Sequence, residues 1–513
     1  MGASVTSIGL KGLEGYRVQV EVQAMDGMDA IVIVGLPDAS VKESKERISA
    51  ALVSMGYSMH EKKVVINLSP AEQKKNGPLF DLPMAIGMLI SMNEIKVQIP
   101  PDTAFIGALS LAGHIRPVEG MLPAVLAARR LGIHTIYMPY DEQLPALSFP
   151  DLEIIYVAHL QDVLQHLNGQ PVLPIFTQAQ TRAEEQQLSN RIDFQEIIGH
   201  KHAKLALEVA AAGEHHVLMS GPPGCGKSFL AESFPSILSP LTEEARLEMI
   251  SLYHLSGETL ENTKTPPFRN PHHTASGVSI IGGGQNPKPG EVSLAHRGVL
   301  FLDEIAEFSK KTLDMLRQPL EAGRVTISRA HSTVTYPAQF ILIGAMNPCP
   351  CGFLGSNTHY CTCTPNKIQS YQNKLSGPIR DRFDIFLSLR PVDLNKRHKE
   401  NQESSEVVRK RVAQARERQY ERYGVEICNS RVSYEELMKK SPLTHQQQNL
   451  LKQLSAKRNF SNRTQIKIIR LARTISDLKG EEAITDESLW QAVQLNNREM
   501  STKDKRKVVF SWA

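Results

Sequence analysis

The first legible pattern is an alternation of period two. Tyr16 to Gln23 (YRVQVEVQ) sets apolar and polar residues in turn, as a half-buried strand does. Ala30 to Val34 is a more continuously apolar strand, ended by Gly35-Leu-Pro-Asp38. Val41 to Met55 changes to helical spacing, with Val41, Ile48, Leu52 and Val53 falling largely on one face. Lys63 to Leu68 reads as a strand again. Leu82 to Met92 and Met121 to Leu131 predict helices, and Ile133 to Met138 and Glu153 to Val157 predict short strands. Residues 1–170 form one alternating α+β unit on this pattern. Residues 171–190 are rich in Gln, Pro, Thr and charge without periodicity, which predicts a linker.

Beyond it the strands become short and wholly apolar, the pattern of a buried parallel sheet. Val217 to Ser220 leads into Gly221-Pro222-Pro223-Gly224-Cys225-Gly226-Lys227-Ser228-Phe229, which fits G-x-x-x-x-G-K-[ST] ahead of a helix. Side-chain-free glycines let backbone N–H groups curl around phosphate oxygens. Lys227 is expected on the terminal phosphates, and the Ser228 hydroxyl on Mg²⁺. The bland alternative is a chance glycine-rich turn. Gly298 to Glu304 (GVLFLDE) is an apolar strand ending in two carboxylates, and ligands sit at the carboxyl ends of such strands. Asp303 is expected to hold Mg²⁺ with Ser228, and Glu304 to polarise the attacking water. Phe340 to Asn347 is a third strand of this kind, ending in a polar side chain.

Length and charge narrow the class. A chain of 513 residues predicts about three domains. The net charge of +4 (58 basic, 54 acidic) is too small to mark a nucleic-acid protein, so any DNA surface must be a local patch. The longest apolar run, Leu82 to Met92, is shorter than the ~20 residues that span a bilayer. The start, MGASVTSIGLKG, lacks the regions of a signal peptide, and its match to a myristoylation signal has no polybasic support. A cytoplasmic location is expected. Four of the six cysteines, Cys349, Cys351, Cys361 and Cys363, give C-x-C-x9-C-x-C. Four thiolates are the number a closed tetrahedral zinc site needs, which predicts possible Zn²⁺, with His359 as a substitute ligand. Reduced cysteines in a plain loop are the alternative.

Several stretches resemble known families. "KKNGPLFDLPMAIGML" and "RPVEGMLPAVLAARRLGI" are similar to the Lon-protease type of ribosomal-S5-like domain. Leu79 and Leu122 stand where that family carries its nucleophilic serine and its lysine. The resemblance therefore implies the fold without a peptidase. The segment around Ile197, Ile198 and Gly199 resembles the adenine-pocket lining of AAA+ ATPases, Asn347 resembles sensor 1, and "GVLFLDE" resembles Walker B. "LSGPIRDRFD" resembles the segment that supplies an arginine finger to a neighbouring subunit, at Arg382 with Arg380 second. A surface Arg–Asp pair is the alternative there. Arg463 resembles the sensor 2 arginine of the magnesium-chelatase and minichromosome-maintenance groups, whereas Arg470 and Arg473 read as helix-face charges. Two insertions, Phe268 to Arg297 and Glu321 to Ala338, resemble pore loops. The second reads as a β-hairpin with Arg324, Arg329 and His331 near its turn, where basic side chains suit a phosphate backbone. Solvated loops or subunit contacts are the competing reading.

Nearly the whole chain thus resembles the YifB/ComM family of magnesium-chelatase-like AAA+ ATPases. The resemblance implies an α/β multidomain protein: an S5/Lon-like domain (1–170), an AAA+ parallel-sheet core (191–394) and a helical lid (395–513) with a basic tail at Lys503 to Lys507. It implies ATP and Mg²⁺ as cofactors and a homo-hexameric ring. It also implies DNA, single-stranded or branched, as partner, with helicase-like branch migration as the activity. The alternatives are a chelatase-type or Lon-related ATPase remodelling a protein partner.

Overall fold

The structure, a computed structural model, describes residues 2–145, 147–170, 192–258, 264–284, 287–329, 332–354, 359–392 and 402–497. The expected linker over 171–190, the basic tail and the boundary at 394–395 lie outside the described residues.

The front of the chain contributes β1 (Gly2–Lys11), β2 (Glu14–Asp26), β3 (Ala30–Val34), β4 (Lys62–Ser69) and β5 (Thr103–Phe105). A short ribbon, β6 (Ala108–Leu109) and β7 (Ile115–Arg116), precedes β8 (Thr135–Met138) and β9 (Glu153–Tyr156). One seven-stranded mixed sheet results, in the order β3-β4-β2-β1-β5-β8-β9. β1 and β2 form a hairpin whose register runs from Gly2↔Gln23 to Lys11↔Glu14. Gly12 turns it with φ +68, the left-handed region that favours glycine. Alternation in β2 buries Val18, Val20 and Val22. β1 escaped the pattern reading because small polar residues, Thr6 and Ser7, occupy buried positions in it. The helix Ala39–Ser54 buries Val41, Ile48 and Leu52. Val53 lies about 100° around that helix from Leu52 and is 60% exposed, contrary to the expected face. The helices Asp81–Ser91 and Met121–Arg130 complete a core of Met84, Met88 and Val125 against Val5, Val20 and Ile66.

The second sheet combines β10 (Val217–Ser220), β11 (Phe268–Arg269), β14 (Val299–Leu302), β17 (Ile341–Met346) and β18 (Ile385–Ser388). Between them lie the two-residue pair β12 (Gly282–Gly283) and β13 (Lys288–Pro289), and the hairpin β15 (Arg324–Arg329) and β16 (Ser332–Pro337). The order is β11-β14-β17-β10-β18, and every pair is parallel. Every residue of β10, β14 and β17 is buried, which is why their sequences are apolar throughout but for Ser220 at the end of β10.

Two expectations about the insertions change. Phe268 and Arg269 are not inserted loop but the edge strand β11, paired with Val299 and Leu300. Arg324 is not near the hairpin turn: it pairs with Pro337 at the open end, five positions from Arg329, or about 16 Å at strand rise. Arg329 pairs with Ser332 beside the turn, and His331 lies outside the described residues.

The C-terminal region is helical: Ser405–Tyr423, Tyr434–Lys440, His445–Arg458, Asn462–Lys479 and Asp486–Leu495. Its Val412, Leu451, Ile468 and Ile475 share one buried cluster with Val217, Ile343 and Ile385 of the parallel sheet. Arg473 is not a helix-face charge. It is fully buried and paired with Asp477 one turn on, at 3.0 Å. The front unit packs on the second sheet's helices through Leu122, which joins Leu247 and Ile250 of the helix Glu243–Ser256. No described helix is long and apolar enough to cross a membrane.

Candidate functional site

Three adjacent parallel strands, β14, β17 and β10, deliver polar groups to the carboxyl edge of the sheet, where ligands of such sheets sit. The loop after β10 turns through Gly224 (φ +75) and Gly226 (φ +85) into the helix Lys227–Ser233, which starts two residues earlier than Phe229. Lys227 Nζ donates to the carbonyl oxygens of Gly221 (2.8 Å) and Pro222 (3.0 Å) and to Asn347 Oδ1 (3.2 Å). Burial lowers the Lys227 pKa, opposed by Cys225, Asp303 and Glu304. Ser228 Oγ donates to Asp303 Oδ2 at 2.9 Å, while Asp303 Oδ1 accepts from the Glu304 N–H at 2.9 Å. Two oxygen groups suited to a hard cation therefore meet beside the glycine loop.

Glu304 has φ +48, a left-handed conformation, and its side chain is 56% exposed. His273 Nδ1 stands 4.0 Å from Glu304 Oε2. Its ring lies 4.1 Å from that of His272 and edge-on to Phe308 at 6.4 Å. The pattern reading missed His273. Its signal was position: the loop after β11 opens at the same carboxyl edge as the other three.

The segment Ile197–Gly199 lies on the β18 side of the loop. Ile197 is buried, and Gly199 has φ +69 with Val392 so close that a Cβ would stand 2.7 Å from it. The next residue, His200, bonds the Cys225 backbone, and burial lowers its pKa. Pro223 touches the cysteine-bearing loop, where a Cβ on Gly352 (φ +82) would stand 2.7 Å from Pro223 Cδ. In that loop the sulfurs of Cys349, Cys351, Cys361 and Cys363 all lie within 4.8 Å of one another.

Arg382 and Arg463 are elsewhere. Both ion-pair with Glu321, Arg463 at 2.7 Å, and Arg463 also meets Asp381 at 3.4 Å. The Arg382 side chain is only 10% exposed, and its Nε and Nη1 have no hydrogen-bond partner. They line a cleft of about 850 Å³ with His216, Gly298 and Phe340, the residues that immediately precede β10 and β14 and β17. This cleft is at the amino edge of the sheet, opposite the glycine loop, and Lys227 does not line it. Glu321 gave no sequence signal as the shared partner.

Against known proteins, residues 193–397 match the family described as "Magnesium chelatase, subunit ChlI", residues 20–142 "Subunit ChlI of Mg-chelatase", and residues 402–496 "Magnesium chelatase, subunit ChlI C-terminal". Competence protein ComM of Haemophilus influenzae is 38% identical over 496 residues, 96% of each chain. A protein named YifB from Salmonella typhimurium is 37% identical over 489 residues, 94% of each chain, and that from Escherichia coli 36% over 488, again 94% of each. Three successive family matches, near-complete coverage of relatives, a parallel sheet bearing the glycine loop and a helical C-terminal region agree: the chain belongs to the YifB/ComM family of magnesium-chelatase-like AAA+ proteins.

Proposed function

We propose that the chain is an ATP hydrolase, one subunit of a hexameric ring that moves or branch-migrates DNA. The observation that carries the ATPase reading is the joined set Lys227, Ser228, Asp303 and Asn347 at the ends of three neighbouring parallel strands. On this reading Gly221 to Phe229 wrap the phosphates, and Ile197, Ile198 and Gly199 flank the adenine. Ser228 and Asp303 would hold Mg²⁺, which would supply positive charge beside the phosphates. Lys227 exchanges its loop carbonyls for phosphate oxygens, a charge-assisted and stronger bond. Glu304 accepts the proton of the water that attacks the terminal phosphorus. The bond to the bridging oxygen breaks, and ADP and phosphate leave. Asn347 orients that water. Arg382 and Arg463, at the opposite edge, serve a neighbour's nucleotide.

The DNA assignment is supported by Arg329 beside the hairpin turn, by a competence-named relative covering 96% of the chain, and by the family resemblance. The front unit is proposed to be S5/Lon-like without peptidase activity, supported by burial of Leu79 and Leu122 at the positions of the missing dyad. The test is steady-state ATP hydrolysis with and without single-stranded and forked DNA, alongside Glu304→Gln. Several-fold stimulation that the variant loses is expected. An unchanged rate would overturn the DNA motor and favour a protein client.

A further inference from the structure

We propose that Cys349, Cys351, Cys361 and Cys363 bind one zinc ion, and that this centre braces the loop after Asn347 against the phosphate loop. The Sγ–Sγ distances are 3.4 Å for Cys349–Cys351, 3.7 Å for Cys349–Cys361 and 3.6 Å for Cys351–Cys361. Thiolates placed tetrahedrally at a zinc–sulfur distance of about 2.3 Å have edges of about 3.8 Å. The three measured edges are therefore close to what the ion requires. All four cysteines are free thiols, and their spacing is far beyond the ~2.05 Å of a disulfide. A thiol is a weak donor and a weak acceptor, so four of them gain little from one another without a cation between them. Among divalent metals at a soft sulfur site, zinc outranks iron in affinity. Binding turns four thiols into thiolates and releases their protons to water.

The surroundings support a fixed centre. The Leu354 N–H donates to Cys349 Sγ at 3.4 Å, and the Gly352 N–H donates to the Cys349 carbonyl at 2.9 Å. Backbone donors to a metal-bound sulfur hold it in place and moderate its charge. Cys349 is buried, and the other three are half-exposed. Thr364, immediately after Cys363, caps the helix Pro365–Gln372, and Gln372 Nε2 returns to the Pro348 carbonyl at 3.1 Å. Tyr371 of that helix bonds the Asn347 backbone. The ion would thus close a loop that starts two residues after Asn347, presses Gly352 on Pro223, and ends in a helix that holds Asn347 from behind. The bracing role rests on reading Lys227 and Asn347 as an ATP site; the metal site does not.

The experiment is elemental analysis of the full-length protein purified without chelator. About one zinc per chain is expected, nearly all of it lost in Cys361→Ser and Cys363→Ser and retained in Cys428→Ala, a cysteine outside the cluster. A serine variant can fail to fold, so wild-type protein is also titrated with a mercurial thiol reagent in the presence of a zinc-sensitive dye. Release of zinc in step with thiol modification is expected. Zinc at background level, iron in its place, or unchanged zinc in Cys361→Ser would overturn the site. A fluorescent ADP analogue should bind several-fold more weakly once zinc is removed, and unchanged affinity would overturn the bracing role. Zinc present in a wild-type chain that binds no nucleotide would instead overturn the ATPase reading and leave the metal centre standing.

Discussion

Lys227 has its donors directed at three neutral oxygens, two from its own loop and one from Asn347. That is a holding position, since a phosphate offers charged acceptors in their place. Lys227→Ala should lower nucleotide affinity by at least about tenfold and take turnover to background. Glu304 differs: its exposed carboxylate has no bond to the glycine loop, so it contributes little to binding. Glu304→Gln should bind nucleotide normally while turnover falls by about 10²–10⁴, the range of a lost general base. Equilibrium binding beside single-turnover hydrolysis separates the two variants, and equal loss of affinity in both would refute the division of roles. A second residue-scale expectation concerns acid. Burial pushes His216 down to about 4, with Asp384 opposing and Arg431, Lys467 and His215 reinforcing. Its Nδ1 accepts the Leu342 N–H at 3.0 Å, a bond only the unprotonated nitrogen makes. Unfolded histidine titrates near 6.5, so between about pH 6.5 and 4 the unfolded chain binds more protons and stability falls as pH falls. The contribution is complete above that window and amounts to at most about 3 kcal/mol. Asp384, whose carboxyl Lys467 holds low against the opposing effect of burial, keeps its own contribution through this window. Urea midpoints at pH 7.5, 6 and 5 should decline, and less steeply in His216→Gln; parallel slopes would exclude His216 as the source.

Elements differ in how well they announce themselves, and packing explains the difference. β10, β14 and β17 are buried along their whole length, so their apolar runs survive any context and were legible at once. In the helix Asn462–Lys479, Arg470 and Arg473 read from the sequence as helix-face charges, and for Arg473 the structure differs. Arg473 turns inward because Asp477, one turn on, and the Glu481 and Glu482 carbonyls accept from its two terminal nitrogens there. β11 was invisible because two residues at a sheet edge carry no period. The residues of the candidate site follow one another along local motifs, whereas Glu321 meets Arg382 and Arg463 only through tertiary folding, which no local pattern encodes. In the helix Met121–Arg130, Leu122 has a packing role. Leu122 is fully buried against Leu247 and Ile250, where a lysine would bring an uncompensated charge. Leu122→Ala should destabilise the protein by about 2–5 kcal/mol, read as a lower urea midpoint, and Leu122→Lys by more. A loss below about 1 kcal/mol for the alanine variant would mean that this contact does not hold the front unit in place.

At the scale of the molecule, the two edges of the parallel sheet carry opposite halves of one proposed reaction. The carboxyl edge holds Lys227, Ser228, Asp303 and Asn347; the amino-edge cleft holds Arg382 and Arg463. The four residues of β10 alone separate those edges by about 13 Å at strand rise, so in this structure neither guanidinium reaches the glycine loop of its own chain. In the proposed head-to-tail ring, each subunit would turn its amino-edge cleft toward the next subunit's glycine loop. Glu321 holds both arginines in the isolated chain, and Arg382 has two nitrogens without partners, so a phosphate arriving there would meet donors already in place. Arg382→Ala should therefore lower turnover by about 10³-fold or more with nucleotide binding intact. The decisive measurement is mixing. Glu304→Gln supplies an intact finger and Arg382→Ala supplies an intact carboxylate. At equal proportions about one interface in four combines both, so the mixture should recover a corresponding share of wild-type hydrolysis although each variant alone is inactive. If co-assembly of the two variants is verified and the rate stays at background, the arginine acts within its own chain or not at all, and the shared-site ring fails. If the rate returns, two surfaces on opposite sides of one subunit have been joined by chemistry, and the ring is a condition of activity.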